Sequence, residues 1–513
     1  MLTDQLTDIL RSLGGFGPEL WLSAAFCALL LAELGLLRTD RRQARRFLAV
    51  MSILAVGVAG IWAVVMPVRG FLFLRLLFVD DQAIYFQVVI ALSALFVLLY
   101  EMASPPRNAV PARGLPLEWF PILIAMTLGL FLMTLSVNLL SIYLSIELVS
   151  ICSYLLTALV ADRKASEGGI KYLLFGAISS AVMLYGMSLL YGMTGTLDLT
   201  ADGFGAELAR QDTGVVAVAM LLTLAGLLFK LAGVPFHVWT PDAYEAAPVP
   251  VAAFFSVAPK AAAVLVLMRL VTALPMGAPT ADGLDGFAPE GATATVLQVP
   301  LAVLALAGIL IGNLSALRQT DAKRMLAYST IAHAGFLLVG VVALNKAGFD
   351  AVLFYAGTYL FLSLAAFFLV DLLARHTNSA SLAMSQFAGL GARQPLLSVA
   401  LTIVMLGLTG LPPTVGFTAK VLAFSALYDA YQHSGNPWLL TLFAIGLLNA
   451  LISLVYYLKI PFLLFFRPLP ERSASWVGGS LPKGPVWLAV GLVVPVVGLF
   501  LKPDWLLRLI AGW

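Results

Sequence analysis

Residues Leu221–Ala263 read LLTLAGLLFKLAGVPFHVWTPDAYEAAPVPVAAFFSVAPKAAA. Two strongly apolar runs flank a polar, proline-rich centre, and each run carries one lysine, Lys230 in the first and Lys260 in the second. Neither lysine is near a helix end, where its long side chain could reach water. A lysine in hydrocarbon costs roughly 2.5–3.5 kcal/mol on insertion scales. The pattern therefore predicts consecutive membrane helices that enclose a line of buried polar residues, which we call the polar axis.

The composition of the 513-residue chain agrees with this prediction, because 61% of the residues are hydrophobic and 11% are charged. A soluble protein would have about 25% charged residues. Since a membrane helix needs about 20 apolar residues, we expect an all-α polytopic membrane protein with about fourteen transmembrane helices and almost no soluble domain. The start of the chain lacks a basic region followed by an apolar core, so we expect no cleaved signal peptide. The predicted spans centre near residues 28, 57, 90, 128, 150, 181, 223, 262, 306, 335, 361, 410, 450 and 493.

The sequence offers no evident means of binding a redox cofactor. The two cysteines, Cys27 and Cys152, lie inside apolar spans and are interpreted as small core residues. An iron–sulfur cluster takes four protein ligands, and no GxGxxG after a strand or GxxxxGK[ST] motif is present. No histidine and carboxylate group has metal-ligand spacing. We therefore expect no nucleotide, flavin, cluster or metal in this chain.

Basic residues predict the orientation of the chain in the membrane. Five arginines lie within Arg38–Arg46, between the first two spans, and the positive-inside rule places this loop in the cytoplasm. With fourteen spans, the cytoplasmic loops then hold 17 lysines and arginines, against 7 in the opposite loops and the tails. Both termini are therefore predicted on the periplasmic side. Arg269 and Lys459, near span ends, are interpreted as anchors that snorkel or pack at the surface.

Three lysines, Lys230, Lys260 and Lys420, lie deep enough within spans that anchoring does not explain them. Lys171 is one turn inside a cytoplasmic helix end, and it suits an anchor and the mouth of the polar axis equally well. Glu147 lies well inside the fifth span, where a lone carboxylate would take up a proton unless it had a cationic partner. Glu33, in the first span, is closer to the cytoplasmic end and is not assigned a role.

One histidine, His333, lies in the middle of a span, beside Ser329 and Thr330. Two interpretations remain open for it, a structural histidine with satisfied hydrogen bonds and a proton relay. The other three histidines are in or near loops and are not assigned a role.

Two predicted helices are interrupted by glycine and proline. The first contains Gly233 and Pro235, and the second contains Gly410, Pro412 and Pro413. Proline removes a backbone donor and clashes with the preceding turn. In a membrane, the freed carbonyls are tolerated only where protein or water satisfies them. These breaks are therefore expected at water-accessible points of the seventh and twelfth spans.

The two breaks also indicate an internal duplication, since their glycine and proline recur at an offset of 177 residues. Spans 4–8 would correspond to spans 9–13, and a repeat of five spans must be inverted in the membrane. Inverted repeats with interrupted helices are a common way to build an ion site at the midplane. The expected organisation is an N-terminal three-helix segment (1–115), a first five-helix repeat (116–275), a second repeat (295–467) and a C-terminal helix (468–513).

Four of these stretches together resemble the antiporter-like proton-channel subunits of respiratory complex I, over roughly residues 118–466. Within that family the chain most resembles the N branch. The lysine at 420, where the M branch typically has glutamate, argues against M, and the absence of a long lateral helix argues against L. Subunits of multi-subunit cation/proton antiporters and membrane-bound hydrogenases share the motifs and remain the alternative. The stretches are FKLAGVPFHVWTPDAYEAAPVPVAAFFSVAPKAA, LSIYLSIELVSICSYLLTAL, SALRQTDAKRMLAYSTIAHAGFLLVG and LPPTVGFTAK.

The resemblance implies a function and a set of roles. Glu147 resembles the acid that pairs with the lysine of span 7, here Lys230, while Lys260 and Lys420 resemble the central and terminal lysines. Lys171 and His333 match further positions of the family's polar axis. The implied protein is a proton-translocating, multi-pass subunit of NADH:quinone oxidoreductase in the bacterial inner membrane. FMN, iron–sulfur clusters and quinone are expected in its partner subunits.

Overall fold

The computed structural model describes residues 2–104, 115–273, 292–376, 382–468 and 481–511. These residues form twenty α-helices, and one small hairpin pairs β1 (Gly70–Leu72) with β2 (Leu77–Val79) in antiparallel register. The helices are α1 (Leu2–Gly14), α2 (Gly17–Gly35), α3 (Arg41–Val65), α4 (Asp81–Ala103), α5 (Trp119–Leu135), α6 (Leu139–Ala158), α7 (Arg163–Thr194), α8 (Asp202–Ala209), α9 (Thr213–Leu231), α10 (Trp239–Ala246), α11 (Val249–Thr272), α12 (Ala292–Leu317), α13 (Ala322–Val342), α14 (Lys346–His376), α15 (Pro395–Thr409), α16 (Val415–Ser434), α17 (Pro437–Phe466), α18 (Lys483–Gly491), α19 (Val493–Leu501) and α20 (Asp504–Ala511).

The all-α membrane architecture expected from the composition is confirmed. Within the described residues, 12 helical segments are long and apolar enough to cross a membrane, and α18 and α19 count together as one of them. The shorter apolar helices α5 and α15 lie at two further predicted spans. The exact number of fourteen spans stays a prediction. The amphipathic α1, the short α8 and the hairpin were not predicted from the sequence.

The centre of the protein is formed by α11, α13 and α14. Every residue in the apolar window of α11 is buried inside the chain, and 94% of the residues are buried in the corresponding windows of α13 and α14. By contrast, α2 and α17 bury 28% of theirs and present most of their apolar surface outwards. An apolar helix that is buried all round belongs to the interior of a bundle. The polar residues on the three central helices are therefore enclosed by protein.

Small residues let some of the helices approach closely. A Cβ atom added at Gly335 of α13 would lie 2.8 Å from the carbonyl oxygen of Ala305, and one added at Gly312 of α12 would lie 2.5 Å from the amide nitrogen of Ala332. Lipid supplies little hydrophobic driving force between helices, so such close packing carries much of their association. The α12–α13 pair is therefore intolerant of side chains at these glycines.

Matching backbone contacts support the predicted duplication. The amide of Leu139, at the start of α6, donates to Leu197 O at 2.8 Å, and the amide of Ala322, at the start of α13, donates to Leu382 O at 2.9 Å. Each of these helices is followed by a long helix, α7 with 32 residues and α14 with 31. The two halves thus repeat the same order of elements and the same contact between them. The exact domain boundaries stay predictions, and the one at residue 275 lies outside the described residues.

Both predicted helix breaks are present. Helix α9 ends before Ala232 (φ 59°) and α15 ends before Gly410 (φ 86°), so each first half closes on a left-handed residue. Such a residue ends a helix because its backbone turns away from the helical path. The following amides close both ends in the same way, Gly233 N to Leu228 O at 2.7 Å and Leu411 N to Leu406 O at 3.1 Å.

The hydrogen bonds align the two breaks at an offset that is one residue longer than the 177 residues indicated by the glycine and proline pattern. Gly410 corresponds to Ala232, not to Gly233, because these two residues occupy the same capping position. With that register, Pro413 is the counterpart of Pro235, and both prolines follow cis peptide bonds. The second half of each broken helix then follows, α10 in the first repeat and α16 in the second.

Candidate functional site

Each of the three buried lysines lies beside a helix break or beside a proline within a helix. Lys230 is in the last turn of α9, directly before the first break. Lys260 follows Pro259, which lies inside α11 and removes a backbone donor there. Lys420 is in the second turn of α16, directly after the second break. All three are buried, with exposed fractions of 2%, 2% and 6%, as their positions in the sequence predicted.

Lys230 lies in an aromatic cage. Its Nζ atom is 5.5 Å from the ring centroid of Phe229, 5.7 Å from that of Tyr172 and 5.8 Å from that of Tyr154. Among the described residues, this Nζ has no hydrogen-bond acceptor. An ammonium buried without acceptors carries a desolvation cost of several kcal/mol, which aromatic faces offset only by about 2 kcal/mol. The charged form of Lys230 therefore depends on a nearby anion or on water.

On α6, Glu147 lies two helical turns before Tyr154 of the aromatic cage, and its carboxylate would supply such a charge to Lys230. The two are not in direct contact, since no ion pair within 4.0 Å joins them in the described part of the chain. Oε1 of Glu147 is buried and has no hydrogen-bond partner there. The side chain is half-buried, between the exposed Leu144 and Ile151 on the same helix. Glu147 therefore lies between the aromatic cage and the outer surface of the chain.

Lys260 is satisfied by the backbone of α13. Its Nζ donates to Thr330 O at 2.6 Å. The Thr330 hydroxyl donates to Leu326 O within the same helix and accepts a 3.4 Å bond from Tyr359 of α14. One charge-assisted hydrogen bond is strong, but an ammonium has three donors. The described residues therefore leave two donors of Lys260 for water or for another state of the site.

His333 connects tyrosines from two other helices. Its Nδ1 is 2.6 Å from the hydroxyl of Tyr355 on α14, and its Nε2 is 3.1 Å from the hydroxyl of Tyr457 on α17. Tyr457 in turn shares a very short hydrogen bond with Ser329. A neutral imidazole donates from one nitrogen and accepts at the other. A chain of hydroxyls on both sides of the ring therefore satisfies a neutral histidine and also provides a route for proton transfer.

Lys420 folds back onto the end of α15. Its Nζ donates to Thr409 O at 2.6 Å and to Leu408 O at 3.2 Å, and it lies 4.4 Å from the ring centroid of Phe336. Cations are stabilised at the C-terminal end of a helix, where the carbonyls carry partial negative charge. Lys420 thus satisfies the carbonyls that the break leaves free. Among the three buried lysines it donates the most hydrogen bonds to the described residues.

Lys420 and His333 share a small cavity of about 10 Å³. A buried water needs about 10–15 Å³ and polar partners, so the cavity holds at most one water in this conformation. Such a water would lie between the imidazole and the ammonium. The cavity is lined by His333, Tyr355, Thr358, Tyr359, Leu362, Gly407, Gly416, Ala419 and Lys420.

The predicted break residues differ in their distance from the lysines. A Cβ atom at Gly410 would lie 2.7 Å from Cδ of Lys420, so this glycine packs directly on the lysine. Gly233 packs on Leu228 instead, and Pro235 is exposed at the surface of the chain. Pro412 and Pro413 are exposed as well, so both breaks reach the surface of the chain, and they differ in that only the second packs on a lysine through its glycine.

Lys171 lies at the surface. Its Nζ is 2.8 Å from Glu167 on the same helix and 2.9 Å from Asp242 on α10. The structure therefore does not bring Lys171 together with the buried lysines. It belongs to a cluster of charged residues that also contains Arg324 of α13, 2.8 Å from Asp242.

Sequence reasoning did not identify several polar residues of the site. Tyr355 and Tyr359 are one helical turn apart and both face His333, but tyrosines in an apolar run are ordinary membrane residues. Asp242 and Arg324 were present in the quoted motifs without an assigned partner. Arg269, interpreted as an anchor, is nearly buried and pairs with Asp80 at 2.8 Å. No group of three or more metal-ligating side chains occurs in the described residues.

Comparison with known proteins identifies relatives over nearly the whole chain. Residues 136–452 match the family model described as "NADH:quinone oxidoreductase/Mrp antiporter, TM". The chain is 38% identical over 512 residues to NADH-quinone oxidoreductase subunit N of Chlorobium chlorochromatii, covering 97% of this chain and 94% of that protein. It is 39% identical over 464 residues to subunit N 2 of Sorangium cellulosum, covering 88% of each chain.

Solved structures of membrane subunits are also similar to this chain. A chain of respiratory complex I from Thermus thermophilus with bound aureothin is 28% identical with a TM-score of 0.73, over 96% of this chain and 98% of that one. An archaeal membrane-bound sulfane sulfur reductase chain (22% identity, TM-score 0.79, covering 98% and 96%) and a chain of the Mrp complex from Dietzia (21%, 0.76, covering 96% and 51%) share the fold.

Proposed function

Since the chain belongs to the NADH:quinone oxidoreductase/Mrp antiporter membrane family, we propose that it is a proton-translocating membrane subunit of an NADH:quinone oxidoreductase. Electron transfer from NADH to quinone takes place in partner subunits, which hold the FMN and the iron–sulfur clusters. This chain contributes the membrane path for protons. It lies in the bacterial inner membrane, with both termini on the periplasmic side.

The observation that supports this function most directly is the enclosure of three lysines and a histidine by protein. Lys230, Lys260, His333 and Lys420 are all nearly fully buried. Ionisable residues inside a membrane protein are costly and in general mark ion or proton pathways. A scaffold protein would have no reason to retain all four.

The proposed path begins at Glu147 and Lys230. When Glu147 is close, its carboxylate stabilises the protonated lysine; when it moves away, or a neighbouring subunit screens it, the buried ammonium loses that support. Glu147 suits this role because it is half-buried, on the side of α6 that faces outwards. The lysine then releases its proton towards Lys260.

The second part of the path runs from Lys260 through His333 to Lys420. Lys260 contacts α13 at Thr330, and His333 is on the same helix one turn further along. The hydroxyls beside His333 and the single-water cavity connect it to Lys420. A positive charge that arrives on one lysine disfavours the charge on the next, which drives the proton onward.

The electrostatic energies of these buried charges are large enough to drive proton pumping. Moving one charge against 100 mV costs about 2.3 kcal/mol. Separating a buried charge from its partner changes its free energy by several kcal/mol. Small movements of Glu147 and the lysines can therefore move a proton against the membrane potential, with energy supplied by the partner subunits.

The test replaces Lys230→Ala and Glu147→Ala separately in the intact complex, reconstituted in sealed vesicles. We expect assembly to survive, while NADH-driven proton uptake and turnover fall by about tenfold or more, as loss of ~1.4 kcal/mol or more of support would give. Normal proton uptake per NADH in both assembled variants would contradict the proposed path. If the vesicles exchange Na⁺ for H⁺ without NADH oxidation, the chain is instead a subunit of a cation/proton antiporter.

A further inference from the structure

The second half of the first broken helix, α10, is held by the other repeat. Arg324 of α13 lies 2.8 Å from Asp242 and 2.6 Å from Glu245, both on α10. All three side chains are partly exposed, with 22–31% of their surface accessible. An arginine that binds two carboxylates at once is more strongly fixed than a single surface ion pair. We call these three residues the inter-repeat latch.

The same end of α13 also caps α10. The buried Lys323 donates from Nζ to Ala247 O, at the C-terminal end of α10, at 2.6 Å. Asp321 fixes the start of α13 by accepting from the amides of Lys323 and Arg324 at 2.9 and 3.0 Å. Two consecutive basic residues of the second repeat thus bind α10 from a rigid helix start.

Helix α7 of the first repeat supports α10 from the other side. Lys171 binds the second oxygen of Asp242, and Lys164 lies 2.5 Å from Glu245. The fit is tight, because a Cβ atom at Gly168 would clash with Cβ of Ala246. Asp242 is therefore shared between α7 and α13, and α10 moves only if one of these contacts opens.

The position of α10 determines the surroundings of Lys230. Trp239, the first residue of α10, stacks on Tyr172 with ring centroids 3.9 Å apart and also packs against Phe229 at 5.2 Å. Tyr172 and Phe229 are two of the three rings around the Lys230 ammonium. A shift of α10 would therefore rearrange the aromatic cage.

The second repeat is built differently at the equivalent place. Asp242 lies seven residues after Pro235, and Lys420 lies seven residues after its counterpart Pro413. Lys420 binds the end of its own first half, α15, so the second broken helix is closed within itself. Asp242 instead binds Arg324, on the helix that also carries Thr330, the acceptor of Lys260. The first break is thus tied to the part of the second repeat that contacts the central lysine.

We propose that Asp242 is a positioning residue, and that the inter-repeat latch sets the place of α10 and thereby the access of water and protons to Lys230. This inference rests on the proposed proton path and assigns its control to contacts between the repeats. When the latch is closed, Trp239 keeps the aromatic cage intact and Lys230 dry. When Arg324 releases Asp242, α10 moves and the cage opens.

The chain contains its own reporter, Cys152, which is buried on α6, the helix that also carries Tyr154 of the aromatic cage. In a Cys27→Ser background, the intact complex is treated with a membrane-permeant maleimide, and the alkylation rate of Cys152 is measured by mass spectrometry. The variants are Asp242→Asn, Arg324→Gln and the conservative Arg324→Lys, which keeps a positive charge opposite Asp242 and Glu245. NADH-driven proton uptake is measured in the same preparations.

We expect either charge-removing variant to speed alkylation of Cys152 by about fivefold, as loss of ~1 kcal/mol would give, and to lower proton uptake per NADH. Arg324→Lys should keep both close to the parent values, because its charge still faces Asp242 and Glu245. The control Arg210→Gln removes an exposed ion pair with Glu207 at the end of α8, away from α10, and should leave the alkylation rate unchanged. Loss of the arginine's shape alone would affect Arg324→Lys and Arg324→Gln alike.

Unchanged alkylation of Cys152 in both assembled charge-removing variants would overturn the latch. So would alkylation in Arg324→Lys that is as fast as in Arg324→Gln. If a single variant does not assemble, Gly168→Ala, which pushes α10 away from α7 without removing a charge, gives the same readout. If alkylation follows the latch but the parent complex moves no protons, the latch stands and the proposed function fails.

Discussion

At the residue scale, the three buried lysines differ in what satisfies them. Within the described chain, Lys230 has no hydrogen-bond acceptor, Lys260 has one carbonyl and Lys420 has two. Each charge-assisted hydrogen bond stabilises the ammonium by about 1.5–3 kcal/mol. Backbone carbonyls therefore support the protonated form increasingly from Lys230 to Lys420, whereas protonated Lys230 depends on Glu147 instead.

A matched pair of substitutions tests whether burial or hydrogen bonding makes a lysine functional. Lys260 and Lys459 each donate to one backbone carbonyl, at 2.6 and 2.8 Å, but Lys459 is only partly buried. We expect Lys260→Met to abolish NADH-driven proton uptake in sealed vesicles and Lys459→Met to retain it, because only Lys260 lies between two other proton carriers. Equal loss in both variants would show that the carbonyl contact, and not the position, matters.

At the scale of elements, each repeat divides one helix into two halves, and the two divisions are not used alike. In the second repeat the break contacts the lysine through Gly410. In the first repeat it separates Lys230 on α9 from the charged α10. The same backbone break therefore packs on its lysine in the second repeat, whereas in the first repeat it separates its lysine from a helix that ion pairs hold in place.

Alanine substitutions at two glycines that end helices distinguish the cost of a strained backbone from the cost of a clash with Lys420. Gly410 and Gly435 both have positive φ, 86° and 64°, but only Gly410 packs on Lys420, while a Cβ at Gly435 meets nothing within 4 Å. Gly435→Ala should cost ~1 kcal/mol from its left-handed backbone. Gly410→Ala should cost a further ~1–3 kcal/mol from overpacking.

The half-life of the purified complex at raised temperature and its proton uptake provide the measurements. Gly410→Ala should shorten the half-life more than Gly435→Ala and should also lower proton uptake. If the two variants have the same half-life and the same proton uptake, the packing of Gly410 on Lys420 does not contribute to function.

At the scale of the whole molecule, the N-terminal helices are fastened to the second repeat. Tyr100 of α4 donates to Asp371 of α14 at 2.7 Å and stacks on Phe368 with ring centroids 4.1 Å apart. Arg375 binds the same carboxylate at 2.5 Å. The long helix α14 therefore connects the N-terminal segment to the helices that carry the polar axis.

The predicted orientation is tested on intact spheroplasts that lack both native cysteines, through Cys27→Ser and Cys152→Ser. Thr3→Cys, near the N-terminus, should react with a membrane-impermeant maleimide added outside. Gln43→Cys, in the arginine-rich first turn of α3, should react only after the membrane is permeabilised, because basic segments between spans stay in the cytoplasm. Reaction of Gln43→Cys from outside would reverse the orientation of the whole chain.

The sequence alone was sufficient for the membrane class, the two broken helices, the burial of Lys230, Lys260 and Lys420, and the family. These properties depend on local composition, since a lysine in an apolar run is costly wherever the run packs and a proline interrupts any helix. The assignment of Lys171 was left open for the same reason, because a position near a helix end is compatible with several roles.

The tertiary structure alone decided which groups meet. Arg324 reaches Asp242 across 82 residues, and Tyr457 reaches His333 across 124. Neither pairing has a periodic signal, because contacts between helices that are distant in sequence depend on how the helices pack and not on spacing along one helix. The separation of Glu147 from Lys230, the exposure of Lys171 and the binding of α10 by the opposite repeat follow from that packing.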